Sequence, residues 1–181
     1  MIFTTQRLII RNLKAEDFEG FHEMQNDPEV MKYTGSPVQT AQENKQDLDR
    51  VIKLYDKTDN VFWVWAIERK LDGAFVGTCA IVRDDPRQNY EAKDEIGYRF
   101  LRSYWGNGYG NEITEGLLKF AFTEFGKELL IAEVDELNAA SVKILDRHMH
   151  LKNSYFNERD QSNDRYYEIT KSEFLERQNK H

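Results

Sequence analysis

Tyr104-Trp105-Gly106-Asn107-Gly108-Tyr109-Gly110 stands between a predicted strand, Glu95 to Leu101, and a predicted helix, Asn111 to Phe125. Glycines at alternate positions let consecutive backbone N–H groups converge with no side chain in the way. The helix start adds partial positive charge aimed at the same point. The segment therefore reads as an anion-binding turn that needs no lysine. A Walker loop would follow its last glycine with Lys and Ser or Thr; here Gly110 is followed by Asn111 and Glu112. A dinucleotide fingerprint spaces its glycines G-x-G-x-x-G, early in a repeated βαβ unit. This one is spaced G-x-G-x-G and lies past mid-chain. On the glycines alone, a tight turn that binds nothing remains the alternative.

The surrounding pattern is built outward from that turn. Asn111 to Phe125 carries Ile113, Leu117, Phe120, Ala121 and Phe125 on one helical stripe. Phe62 to Glu68 and Phe75 to Arg83 are β-branched and aromatic, and Leu71-Asp72-Gly73 between them signals a hairpin. Asp84 to Asp94, charged and containing Pro86, reads as a loop. Leu8, Ile9 and Ile10 place a first strand over Thr5 to Leu13. Phe18, Phe21 and Met24 recur at helical spacing over Ala15 to Asn26. Asp27-Pro28 closes that helix, because the residue before proline is pushed out of the helical region. Thr40-Ala41-Gln42-Glu43 has capping-box spacing and opens a helix through Leu48, Val51, Ile52 and Tyr55. Beyond the glycine-led helix come a strand, Leu129 to Val134, and a helix, Asn138 to His148, capped by Asn138. Two strands, Leu151 to Phe156 and Arg165 to Ile169, and a short helix opened by Thr170 and Glu173 complete the chain. The order β-α-α-β-β-β-α-β-α-β-β(-α) predicts an α/β (α+β) architecture, a mixed sheet with helices packed on it. It predicts one domain, residues 1–181.

Composition narrows the partners. Twenty-five Lys and Arg against thirty-two Asp and Glu give a net charge of −7 and a pI near 5.2. That balance lacks the basic footprint of a nucleic-acid binder or of a protein held on an anionic membrane. A hydrophobic content of 40% with 13% aromatic residues excludes a disordered chain. The single cysteine, Cys79, excludes an internal disulfide framework and a multi-cysteine zinc site, and in a strand pattern it reads as a core residue. No segment has the ~20 apolar residues of a membrane span, and Met1 to Arg11 does not read as a signal peptide. The expectation is a soluble cytoplasmic protein, monomer or homodimer.

Several segments in order resemble one family. Trp105-Gly106-Asn107-Gly108-Tyr109-Gly110 is similar to the acetyl-coenzyme A pyrophosphate loop (Q/R-x-x-G-x-G/A) of the GNAT N-acetyltransferases. The likeness is greatest to the branch containing the ribosomal-protein N-terminal (alanine) acetyltransferases. Thr5-Gln6-Arg7-Leu8-Ile9-Ile10-Arg11 resembles that branch's opening T-x-R-L-x-L-R, and Asn26-Asp27-Pro28-Glu29-Val30 its N-D-P-x-V segment. Val76-Gly77-Thr78, Glu95-Ile96-Gly97-Tyr98 and Glu133-Val134-Asp135-Glu136-Leu137-Asn138-Ala139-Ala140-Ser141 resemble its later motifs. Two departures stand out. Trp105 occupies a place where many members have Gln or Arg, and His148-Met149-His150-Leu151 stands where many have Leu-Gly-Phe.

The resemblance implies a mixed, mostly antiparallel central sheet of about six to seven strands flanked by helices. It implies acetyl transfer from acetyl-coenzyme A, as co-substrate and without a metal, to a primary amine such as a protein N-terminus or a small amine. By that match the cofactor is held by Tyr98, Arg99 and Phe100, by Trp105, Gly106, Asn107, Gly108, Tyr109, Gly110 and Asn111, and by Asn138, Ser141 and Lys143. The same match implies Ser141 as proton donor to the departing sulfur, against the plainer reading of a first-turn serine satisfying a backbone N–H. Glu158 and Asp160 are candidate general bases, with Glu95 a further one. A cofactor-binding module without turnover is the second reading.

Overall fold

The structure is a computed structural model and describes residues 1–83 and 93–179. The expected loop from Asp84, with Pro86, lies outside the described residues up to Lys93. Eight strands form one sheet in the order β1-β2-β3-β4-β5-β6-β8-β7. They are β1 (Phe3–Thr4), β2 (Leu8–Asn12), β3 (Phe62–Arg69), β4 (Phe75–Arg83), β5 (Asp94–Phe100), β6 (Leu129–Asp135), β7 (His150–Asn157) and β8 (Ser162–Thr170). Every neighbouring pair is antiparallel except β5 and β6, which run parallel. The mixed, mostly antiparallel sheet is thus as expected, with one strand more than the upper expected number.

The helices cover both faces. α1 (Phe18–Gln25), α2 (Pro28–Met31) and α3 (Ala41–Leu54) pack Phe21, Met24, Val30, Leu48 and Val51 against Leu13 and Ala66. α4 (Tyr109–Thr123), α5 (Ala139–His148) and α6 (Lys171–Gln178) bury Ile113, Leu117, Val142, Leu145 and Phe174 against Trp65, Ile67, Leu130 and Tyr167. The period-2 alternation of β3 thus feeds two cores, with Trp65 and Ile67 on one face and Ala66 on the other. Each fully buried Leu or Val contributes about 1.5–3 kcal/mol. Cys79 lies in the α4 core, 1% exposed, and burial pushes its thiol up.

Both predicted capping boxes form. Thr40 accepts from Glu43 N–H at 3.3 Å while Glu43 accepts from Thr40 N–H at 2.8 Å, and Thr170 and Glu173 repeat the arrangement at 3.3 and 2.8 Å. The N-terminus differs from expectation. The strand foreseen over Thr5 to Leu13 forms as β2 but begins only at Leu8; Thr5 to Arg7 are the turn that joins it to β1, closed by Thr5 N–H bonding Leu8 C=O at 3.0 Å. Asp27-Pro28 does end α1, but it also starts α2. Asp27 caps Glu29 N–H at 2.9 Å, and proline fits the first turn of a helix, where its missing N–H has no role.

Candidate active site

β5 and β6 make a wedge. β5 pairs with β4 along its whole length, from Arg83–Asp94 to Gly77–Phe100, and β6 pairs likewise with β8 from Leu129–Thr170 to Asp135–Asp164. Between β5 and β6 themselves, Glu95 and Ile131 are the one register pair. Past that point each strand presents an inner edge of backbone N–H and C=O groups, which need a partner of some kind. Gly77 lies at the open end. A Cβ there would stand 2.0 Å from the Arg99 carbonyl oxygen, so only glycine lets β5 press this closely on β4.

The glycine turn caps the open end. Gly106 and Gly108 have φ of +74° and +77°, a region costly to residues with a Cβ. α4 begins at Tyr109, inside the turn and two residues earlier than expected, with Gly108 at its cap. The first helical bond runs from Glu112 N–H to Gly108 C=O at 3.2 Å, so the N–H groups of Tyr109, Gly110 and Asn111 are not consumed within the helix. The space beside Gly106 is open for 4 Å, whereas a Cβ at Gly110 would meet Ile144 at 2.9 Å and Tyr98 at 3.3 Å. Gly110 therefore serves close packing of α4 on α5, and Gly106 and Gly108 shape an open cradle. Trp105 Nε1–H donates to the Phe100 carbonyl at 3.0 Å, and Asn107 Nδ2–H donates to the Tyr104 and Trp105 carbonyls at 3.1 Å each. These two side chains brace the turn from within. An anionic, linear ligand with amide groups, as coenzyme A is, fits this arrangement: N–H groups at the cradle and two strand edges in the wedge.

A further clamp comes from the N-terminal hairpin. Glu112 accepts from Thr5 Oγ1–H at 2.5 Å, from Arg7 N–H at 2.7 Å and from Arg7 Nε–H at 2.6 Å. Arg7 Nη1–H also donates to the Asn107 carbonyl at 2.9 Å, and its guanidinium lies 4.6 Å over the Tyr109 ring. A cation thus stands beside the turn. The T-x-R spacing of the opening segment carries this signal, but no local pattern says where the arginine points.

On the face covered by α4 and α5, Asn138 caps α5 by accepting from Ser141 N–H at 3.3 Å. Tyr98 O–H reaches Ser141 Oγ at 3.5 Å, and burial pushes its phenol up. Asn111 turns its side chain toward the end of α5, where its Oδ1 accepts from His148 Nε2–H at 2.9 Å and Arg147 Nη1–H at 3.2 Å. Phe100 is buried against Tyr109, and Lys143 is exposed on α5. The Arg99 side chain is on the other face of β5, where Nη1–H donates to Gln25 Oε1 at 2.9 Å.

That other face gathers acids. Glu95 alternates with Ile96 on β5 and Glu133 with Val134 on β6, so both leave the α4 core and share a face with Asp164 of β8 and its partner Tyr155 of β7. The Tyr155 phenol is pushed up by burial and then by Glu133, Asp164 and Glu95. Of the expected bases, Glu95 belongs to this group. Glu158 is exposed in the turn between β7 and β8. Asp160 pairs with Arg159 at 3.0 Å and accepts from Asn157 Nδ2–H at 3.2 Å. A Cβ at Gly35 would stand 2.6 Å from Asp160, so this turn abuts the chain between α2 and α3. Tyr155, Glu133 and Asp164 were not foreseen; alternation counted across β6, β7 and β8 together would have found them.

A split parallel pair behind a glycine cradle defines a protein class that lays a linear anionic ligand into its sheet. The sequence matches the acetyltransferase (GNAT) domain family over residues 7–148, and the chain belongs to that family of acetyl-coenzyme A dependent enzymes. Uncharacterized protein YkkB of Bacillus subtilis (strain 168) is 32% identical over 149 residues, covering 79% of this chain and 81% of that protein. RimL, a ribosomal L7/L12 alpha-N-protein acetyltransferase solved in complex with coenzyme A, superposes with a TM-score of 0.77 at 16% identity, over 93% of this chain and 97% of that one. A spermidine N-acetyltransferase from Vibrio cholerae, solved with coenzyme A and spermine, gives 0.75 at 16% identity, over 93% and 98%. Among the described residues no helix is long and apolar enough to cross a membrane, and no group of three His, Cys, Asp or Glu is placed to hold a metal.

Proposed function

We propose that this chain, acting as one domain, transfers the acetyl group of acetyl-coenzyme A to a primary amine. The observation that carries the reading is the wedge, with one pairing at Glu95–Ile131 and a glycine cradle at its mouth. Acetyl-coenzyme A supplies an activated acyl group on a thiolate leaving group. The N–H groups from Gly106 to Asn111 bind its pyrophosphate, and Arg7 adds a cation beside them. Trp105 and Asn107 hold the turn in shape for that task, and Lys143 faces the cofactor's phosphates from α5. Main-chain groups of Tyr98, Arg99 and Phe100 pair with the amide arm and orient it, and an N–H there donates to the carbonyl oxygen as negative charge develops. Asn138 fixes the first turn of α5 and so positions Ser141. Ser141 Oγ, with the Tyr98 hydroxyl behind it, delivers a proton to the leaving sulfur.

The acceptor reaches the opposite face. Glu95, Glu133 and Tyr155 border it there, and the two carboxylates take the proton that an ammonium must lose before it attacks. They suit that work better than Glu158, which is exposed, or Asp160, which is paired to Arg159. RimL acts on a protein N-terminus and the Vibrio cholerae protein on spermidine, so the shared fold does not select between an N-terminal and a small-molecule amine. A coupled thiol-release assay with peptides of varied N-terminus, polyamines and aminoglycosides tests the reading, alongside calorimetry with coenzyme A. Amine-dependent thiol release is expected. Absence of coenzyme A binding at millimolar concentration would overturn it.

A further inference from the structure

Arg99 is a cation enclosed on the acceptor face with no carboxylate within ion-pair distance among the described residues. It sits on β5 at the open end of the wedge, on the face of Glu95 and opposite Tyr98. One of its guanidinium N–H groups, at Nη1, donates to Gln25 Oε1 at 2.9 Å, and Met31 Sδ lies 3.9 Å away. Its position is built rather than incidental. Gln25, 5% exposed, donates through Nε2 to Asn44 Oδ1 at 3.1 Å and more loosely to Asp47 at 3.5 Å. Asn44, fully buried, is bonded to His22 Nδ1 at 2.9 Å and to the Gln39 carbonyl at 3.3 Å. A polar chain through α1 and α3 therefore aims one amide oxygen at Arg99.

A guanidinium has five N–H donors; among the described residues Gln25 Oε1 and Met31 Sδ take those at Nη1, which leaves Nε and Nη2 for a ligand. Arg11 shows what a similarly enclosed arginine has elsewhere in this fold: Asp17 at 2.8 Å and Glu68 at 2.7 Å. Arg99 makes no ion pair within 4 Å among the described residues, and Asp47 acts on it only from a distance. Taking a cation out of water without a counter-ion is costly, and an incoming carboxylate removes that cost while matching the planar fork of the guanidinium.

We infer that Arg99 selects an amine acceptor that also carries a carboxylate, with the amine toward Glu95 and Glu133 and the carboxylate on Arg99. The inference rests on the acceptor face proposed above. The carboxylate can belong to a free amino acid-like molecule or to an acidic residue of a peptide; the chemistry is the same and the assay separates them.

Three five-carbon amines that differ only at the far end supply the test: 5-aminopentanoate, 5-aminopentanamide and pentane-1,5-diamine. A peptide pair, Ser-Asp against Ser-Asn at its N-terminus, covers the second source. The wild type is expected to favour the acid over the amide in kcat/KM by at least about tenfold, the scale of one charge-assisted hydrogen bond, carried by KM. Arg99→Gln is expected to bring that ratio to about one, and Arg99→Lys to keep part of it. Calorimetric binding of 5-aminopentanoate to the enzyme–coenzyme A complex gives a readout that needs no turnover. If amines are acetylated with the amide or diamine equal to or better than the acid, the inference about Arg99 falls and the proposed activity stands. If the acid binds selectively and no amine is acetylated, the activity falls and the inference stands.

Discussion

Glu112 holds the N-terminal hairpin, the first turn of α4 and, through Arg7, the glycine turn in one clamp, and its removal has a calculable cost. The Thr5 hydroxyl and the Arg7 N–H each give a carboxylate a hydrogen bond of about 1.5 kcal/mol. The Arg7 guanidinium side chain is 44% exposed, so its ion pair counts at only about 0.5 kcal/mol. Relief of burial on removing the carboxylate offsets part of this sum. The net loss for Glu112→Ala is about 2–3 kcal/mol, and for Glu112→Gln, which keeps one acceptor oxygen, about 1–2 kcal/mol. In a protein of this size that lowers Tm by about 4–12 °C for Glu112→Ala. Burial alone would raise the Glu112 carboxyl pKa, but the bonds from Thr5 and Arg7 reverse this and hold it below its ordinary value of 4.5. A group depressed on folding stabilises above its unfolded pKa and ceases to as pH falls through the folded one. The gap between wild type and Glu112→Gln should therefore be full at pH 7 and shrink below about pH 4.5. Calorimetric unfolding of wild type, both variants and the exposed control Glu115→Gln across that range measures it. A Glu112→Ala protein within about 0.5 kcal/mol of wild type at pH 7, or a gap that does not shrink on acidification, refutes the reasoning.

Gly108→Ala and Gly73→Ala both force a methyl onto a residue with φ above +70° and should each cost about 1–2 kcal/mol. In calorimetric titration only the Gly108 change should also weaken coenzyme A binding, because Gly73 is in the β3–β4 turn. Gly77→Ala places its Cβ 2.0 Å from the Arg99 carbonyl oxygen, and its loss in chemical denaturation should exceed about 4 kcal/mol or leave no folded protein. Ser141→Ala should lower kcat by about a hundredfold, the scale of positioned proton transfer, and Tyr98→Phe by less; steady-state thiol release separates the two. Burial and the charges of Arg177 and Arg147 lower the His148 pKa, so the folded state resists its protonation. Stability should fall with pH below the ordinary histidine value of 6.5, and His148→Gln should flatten that slope in urea titrations run from pH 7.5 to 5.5.

What the sequence announces here is what lies within a few residues of itself. The glycine turn, both capping boxes and the Asn138 cap are local hydrogen-bond arrangements, and each formed where its residues stand. The wedge is different in kind. Nothing in Glu95 to Phe100 says that it will pair fully with β4 and at one point with β6, because that depends on Gly77, eighteen residues earlier, being bare. Arg7 meets Glu112 across 105 positions, and no periodicity reports such a meeting. The acid face was hidden for a third reason. Glu133 and Tyr155 read as unremarkable strand residues until β6, β8 and β7 are set side by side in that order, which reverses the order of the last two in the chain. Arg99, expected beside the cofactor through its main chain, shows the same at one position: its backbone lines the wedge, and the pleat sends its side chain to the other face, where no local pattern announces Gln25.

The pairing of Glu95 with Ile131 makes the wedge a ruler. In the binding mode proposed above, a linear guest lies between the strands from the end where Phe100 and Asp135 have parted and stops where the two strands close. The run from Phe100 back to Ile96 is about 13 Å at ~3.3 Å per residue. An arm that reaches from the glycine turn to the closed end brings its tip beside Glu95, and a shorter one leaves its tip stranded among backbone groups. In that mode the fold measures its guest by length before any side chain tests the chemistry of its end.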